Sequence, residues 1–137
     1  LTYVPAALRR EVVDRANRCC EYCRVGESER EFPFAVDHII ATKHGGETVA
    51  ENLCFSCYWC NSHKGSDIAS IDRQQGEQLS WLFNPRKQSW DDHFRLDDGK
   101  LIPLTAEGRV TVTLFQLNQP ALIFERQMLI ERGIYPC

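Results

Sequence analysis

Two Cys-x-x-Cys pairs, Cys20–Cys23 and Cys57–Cys60, bracket a stretch that holds Asp37-His38 and Asn52, and Asn61 follows Cys60 directly. Four thiolates in two tight bites suit tetrahedral zinc, and backbone amides in each turn can donate to the sulfurs. Residues 24 to 56 loop out between the pairs, a longer excursion than a zinc ribbon uses. A carboxylate beside an imidazole inside that excursion, with amides nearby, has the makings of a cation site next to a proton acceptor. Taken singly, each part has a plainer meaning. An Asp-His pair at a strand end is commonly a surface hydrogen-bonding pair, and Asn61 alone would be a helix cap. Rival thiols also exist: Cys19 could replace Cys20, and Cys54-x-x-Cys57 competes with Cys57-x-x-Cys60. Cys60 is preferred because Cys57 and Cys60 stand directly before the helix expected from Asn61, whose start a metal would pin. Cys54 and Cys19 are then small buried hydrophobes, and Cys137 is a frayed end.

The elements that must position these groups follow from pattern. Residues 5 to 18 read as a helix, with Pro5 at its first position and Leu8, Val12 and Ala16 on one stripe. Arg9, Arg10, Arg15 and Arg18 lie around the rest, mixed with Glu11 and Asp14, as on a solvated face. A short strand over PFAVDHII precedes a loop with Gly45 and Gly46, and a helix is expected from Asn61 towards Ile71. Beyond about residue 75 the texture changes. A turn is expected at Asn84-Pro85, β segments at LIPL and RVTVTLFQL joined by a turn near Glu107-Gly108, and a last helix from Pro120 to Gly133. The expected class is α+β, with a core at 1–74 and a C-terminal α/β extension at 75–137 packed on it.

The 137 residues carry a net charge of −3, which speaks mildly against a broad basic face for nucleic acid. Seven cysteines is an odd number, and the first residues lack the apolar stretch of a signal peptide, so metal-bound thiols in the cytoplasm are expected rather than a disulfide framework. No apolar run is long enough for a membrane span.

The order Cys-x-x-Cys, Asp-His-Ile, Gly-Gly, Asn-Leu and Cys-x-x-Cys-Asn-x-x-Lys-Gly over residues 20 to 65 resembles the four-cysteine branch of the HNH endonucleases. The resemblance implies a ββα-metal core, two antiparallel strands and a helix around one catalytic cation, stapled by Zn²⁺ on Cys20, Cys23, Cys57 and Cys60. It implies His38 as general base, Asn52 as the residue orienting it, and Asp37 and Asn61 as ligands of Mg²⁺ or Mn²⁺. Adjacent strand residues point to opposite faces, so the strand must end or distort at Asp37-His38 for both to serve one site. Asn61 shares a helix face with Lys64 and Gly65. Some HNH enzymes carry another histidine ligand where Gly65 stands here, so two protein ligands are expected, with waters completing the shell. Lys64 is either a phosphate contact or a solvated charge; His63, two positions from Asn61, points elsewhere and is at most a weak nucleic-acid contact. His44 reads as a surface group, and Tyr58, Trp59 and His93 as packing residues.

The implied activity is hydrolysis of DNA phosphodiester bonds, with double-stranded DNA as partner and 5′-phosphate and 3′-hydroxyl products. One such site nicks one strand; double-strand cleavage would need a homodimer or repeated events. A different class fits the acidic charge: a non-catalytic zinc-knuckle module that binds nucleic acid or protein, or a nuclease subunit of a larger defence complex.

Overall fold

The computed structural model describes residues 3–137. The chain opens with α1 (Ala6–Arg15), and Pro5 lies just outside it as the cap residue rather than at the first helical position. Val12 is fully buried, with Leu8 and Ala16 resting against the same core. The helix stops short of the expected residue 18 because Asn17 and Arg18 take positive φ of 54° and 56°, which turns the chain into the first cysteine knuckle.

A two-stranded antiparallel hairpin follows, β1 (Ala35–His38) and β2 (Leu53–Ser56), with Asp37 opposite Cys54 and His38 opposite Leu53. The connection between them folds on the Asn52 side chain. Its Oδ1 accepts from Ile40 N at 2.9 Å, and its Nδ2 donates to Ile40 O and Glu47 O, each at 2.9 Å. Gly46 permits this closeness: a Cβ there would fall 1.7 Å from Ile40 O and 2.8 Å from Asn52 Nδ2.

Helix α2 (Tyr58–Lys64) begins three residues before Asn61, because Cys57 rather than Asn61 caps it; Cys57 Sγ accepts from Cys60 N at 3.3 Å. It does not run on to Ile71. Gly65 breaks it at φ 53°, and residues Ala69–Asp72 instead form β3, paired antiparallel with β4 (Gln78–Trp81). The 74/75 division falls in the turn of this hairpin.

The turn at Asn84-Pro85 is present, with Asn84 Oδ1 accepting from Arg86 N and Lys87 N. After it come the short helix α3 (Trp90–His93), the antiparallel pair β5 (Phe94–Asp97) and β6 (Lys100–Pro103), then α4 (Ala106–Leu114) and α5 (Pro120–Glu131). The strand expected over RVTVTLFQL is therefore a helix. Its apolar alternation imitates a strand, but Thr105 Oγ1 caps the first turn by accepting from Gly108 N. Burial at Gly108, Thr111 and Phe115 has helical spacing. Glu107-Gly108 is that first turn, not a hairpin bend.

Residues after 75 are tied to the cysteine knuckles by buried polar contacts. Trp90 Nε1 donates to Tyr22 O at 2.8 Å, Trp59 Nε1 to Phe115 O at 2.6 Å, and Tyr135 Oη to Cys23 O at 2.7 Å. Arg30 forms a two-pronged bond to Glu125 at 2.7 and 2.8 Å. One apolar cluster runs through Val12, Cys20 and Leu53 on one side and Phe83, Phe94 and Leu117 on the other. Among the described residues no helix is long and apolar enough to cross a membrane.

Cys19 and Cys137 depart from expectation, since they are joined in a disulfide that spans 118 residues of sequence. Cys137 is thus no frayed end: its N–H donates to Arg24 O at 3.0 Å, and this residue is fastened beside the first knuckle. Such bonds persist in oxidising surroundings and are rare where thiols are kept reduced. Cross-linking so long a loop is worth about 4–5 kcal/mol in the chain-entropy description. Cys137→Ser is therefore expected to lower the thermal midpoint by about 10 °C or more. Calorimetry beside thiol alkylation of the unreduced protein checks this; two reactive thiols at these positions and an unchanged midpoint would refute it.

Candidate metal centre and nuclease site

The four thiols of Cys20, Cys23, Cys57 and Cys60 are buried, and their Sγ atoms all lie within 4.8 Å of one another. Cys23 and Cys57 Sγ are 3.8 Å apart, which is about the edge of a tetrahedron with zinc–sulfur bonds of roughly 2.3 Å. Each bite has the expected amide support, Cys23 N on Cys20 Sγ at 3.5 Å and Cys60 N on Cys57 Sγ at 3.3 Å. Hydrogen bonds from the other three thiols hold the Cys57 thiol well below its ordinary pKa, while Cys23 and Cys60 are raised. A bound dication would hold all four as thiolates. The donor set fits structural zinc.

The rival cysteines fall outside this cluster. Cys19 is in the disulfide, and Cys54 Sγ lies 3.7 Å from Tyr22 Oη with its pKa pushed up to about 12 by burial. Cys54 is thus the buried small hydrophobe expected of it; Cys19 is buried too, but as half of a cross-link.

The hairpin next to this cluster carries Asp37 and His38 on the last two positions of β1, both still in register with β2. His38 Nε2 is 2.9 Å from Thr48 Oγ1. Asp37 is half-buried, and its Oδ2 is sealed from solvent with no hydrogen-bond partner among the described residues. An orphaned carboxylate oxygen is costly unless something positive meets it. Burial raises the Asp37 pKa above its ordinary value, and the Lys64 ammonium partly offsets this.

Lys64 corrects an expectation. It is neither a solvated helix charge nor open to a phosphate, since it is 2% exposed and its Nζ donates to His38 O at 3.3 Å. This residue ties α2 to the end of β1. Asn61 stands one turn earlier on α2, half-buried, and its side chain makes no hydrogen bond among the described residues. Asn52 reaches the loop backbone rather than the His38 ring, so any hold it has on His38 passes through Ile40 and through Asn52 O, which accepts from Ile39 N at 2.8 Å. The direct hold is Thr48, a residue no spacing rule singles out.

His63 points away from Asn61 as expected. Its ring stacks on Trp59 with centroids 4.4 Å apart, and Nδ1 donates to Trp59 O at 2.8 Å. His44 is exposed, and His93 is buried against Thr105 Oγ1 at 2.6 Å. Trp59 packs, but Tyr58 does not enter the core; it is 62% exposed and lies against Phe32.

Asp37 yields a prediction with a definite sign. A carboxyl whose folded pKa is raised costs stability once pH exceeds its unfolded value, and the cost fades on acidification. In metal-free protein, Asp37→Asn is expected to raise the unfolding free energy in urea at neutral pH by on the order of 1 kcal/mol, an advantage that shrinks at low pH. Excess Mg²⁺ should stabilise the wild type and not the variant. Equal Mg²⁺ responses would remove Asp37 from the cation site.

With this geometry in view, residues 20–67 match the family described as HNH endonuclease. Neither a curated protein nor a solved structure matches the chain. The matched span starts at the first cysteine of the buried cluster and ends just past α2, so it encloses the four-cysteine cluster, the β1–β2 hairpin and the Asn61 helix. Residues 20–67 are thus similar to the HNH endonuclease family, and this stretch is an α+β segment holding a four-cysteine cluster suited to zinc.

Proposed function

We propose that this module hydrolyses phosphodiester bonds of double-stranded DNA, nicking one strand per catalytic event. The observation that supports it most is the sealed, partnerless Oδ2 of Asp37, one residue from a histidine whose ring is already oriented. Asp37 and Asn61 would hold Mg²⁺ or Mn²⁺, which when bound neutralises the scissile phosphate and stabilises the leaving 3′ oxygen.

The remaining steps belong to the chain. Thr48 Oγ1 can accept from His38 Nε2–H, which selects the tautomer whose Nδ1 can take the proton of an attacking water. Lys64 fixes the His38 carbonyl and so the end of β1, and Asn52 holds the following loop shut. The staple sets α2 against β1 by capping the helix that carries Asn61.

Incubation of zinc-loaded protein with supercoiled plasmid and Mg²⁺ or Mn²⁺, beside an EDTA control, tests the proposal. Open-circular product that needs the cation and bears 5′-phosphate ends is expected. No nicking with either cation would sink it. The net charge of −3 favours a second reading, a nuclease subunit whose larger partner grips the DNA. That version predicts nicking that fades steeply with salt in the isolated chain.

A further inference from the structure

Beside the hairpin end lies a cleft of about 260 Å³ whose walls come from both parts of the chain. Ile39 and Ile40, directly after His38, form one side together with Lys64; Trp81, Asn84 and Lys87 form the other. Tyr22 also lines it, and Glu107 reaches it from the first turn of α4. Resting on the nuclease reading, we infer that this cleft receives one unpaired nucleobase of the strand whose phosphate lies at His38, with Trp81 as its stacking wall.

Position is the first argument. Lys64 lines the cleft while its Nζ bonds His38 O, so the cleft shares a wall with the proposed site. Size is the second, since drug-sized ligands fill roughly 300–1,000 Å³ and this space suits a smaller planar group. Chemistry is the third. Asn84 spends its Oδ1 on two backbone amides and Glu107 spends Oε2 on Gln88, which leaves an amide donor and a carboxylate acceptor in the walls. A base edge presents both complements, between apolar faces, as enzymes that extrude bases use them.

The β3–β4 hairpin supplies an independent observation, for its patterning is inverted. Asp72 turns inward to meet Arg109 of α4 in a two-pronged bond, and Ser70 and Ser80 share its side of the hairpin. The apolar residues face water: Ile71 is 47%, Leu79 74% and Trp81 66% exposed. Apolar side chains on such a ribbon can wedge between bases and unstack them. Trp81 is the one that also lines the cleft.

Binding measured in EDTA separates this inference from catalysis. Duplexes carrying 2-aminopurine either paired or as a single unpaired base are titrated with wild type, Trp81→Ala and Trp81→Phe, and zinc content and sedimentation velocity are recorded for each. The unpaired probe is expected to bind about tenfold tighter, with a change in its emission. Trp81→Ala should lose about five- to hundredfold on that probe alone, and Trp81→Phe should recover most of it. Equal affinity for both probes would overturn the inference. So would a Trp81→Ala variant that loses only self-association, which would assign the apolar hairpin face to a second copy of the chain. Preference for the unpaired base without metal-dependent nicking would sink the nuclease reading and leave the base site standing; nicking without preference would do the reverse.

Discussion

His38→Ala is expected to lower cation-dependent plasmid nicking by about 10²–10⁴-fold, the range a positioned general base supplies. Zinc content and the unfolding midpoint should stay close to wild type. The reason for the split lies in what the ring touches. His38 is half-buried at the end of β1, and its ring bonds to Thr48. Its carbonyl, which receives Lys64, survives the substitution, so the junction of β1 and α2 is preserved. Thr48→Val gives a graded version: the ring stays but loses the partner that sets its tautomer, and a smaller loss of rate is expected. Initial rates on supercoiled plasmid in Mg²⁺ measure both. Nicking by His38→Ala at the wild-type rate would take the proton-transfer role away from this residue, whatever cleaves the DNA.

The second large effect concerns the staple. Wild-type protein dialysed free of loose metal should carry about one equivalent of zinc, and Cys57→Ser should carry almost none and lose its cooperative unfolding transition. Structural zinc contributes about 10–16 kcal/mol in small zinc modules, comparable with the whole stability of a domain at about 5–15 kcal/mol. Cys57 is the sharpest choice because it does two things at once. Its Sγ faces Cys23 at 3.8 Å, and it caps α2 by accepting the Cys60 amide. Cys54→Ala is the control. Cys54 is equally buried and three residues away, but it lies outside the cluster and against Tyr22, so its variant should keep the zinc. Mass spectrometry and far-ultraviolet circular dichroism read the outcome. Less than half an equivalent of zinc in wild type, or full retention in Cys57→Ser, would dismantle the staple.

These two expectations rest on very different amounts of tertiary information. The Cys-x-x-Cys spacing, the Asp37-His38 pair and the Asn61 segment are local signals, each set by a short run of residue types, and their order along the chain is enough to recognise the module. Local signals also mark α1, the Asn84-Pro85 turn and α5. Residues 109–117 read as strand in sequence because R-V-T-V-T-L alternates, yet the chain is helical over Ala106–Leu114. The deciding feature, Thr105 closing on Gly108 N, depends on where the chain enters and not on periodicity. The stretch 66–71 reads as helix, whereas Gly65 takes a backbone conformation that ends α2 and that composition alone does not reveal.

Cysteine pairing divides the same way. Spacing narrows the zinc set, but Cys20 over Cys19 and Cys60 over Cys54 are decided by which sulfurs converge in space. The Cys19–Cys137 bond, across 118 residues, leaves no local trace. The sequence by itself determined the likeness of residues 20–67 to the HNH endonucleases and the residue types such chemistry would use, since those are properties of neighbours along the chain. Only the tertiary structure decided that Lys64 is buried behind His38, that Thr48 holds its ring, and that Trp81, Asn84, Lys87 and Glu107 line the cleft beside it. Contacts between distant segments form when a shared core closes around them, and no short window of sequence carries that information.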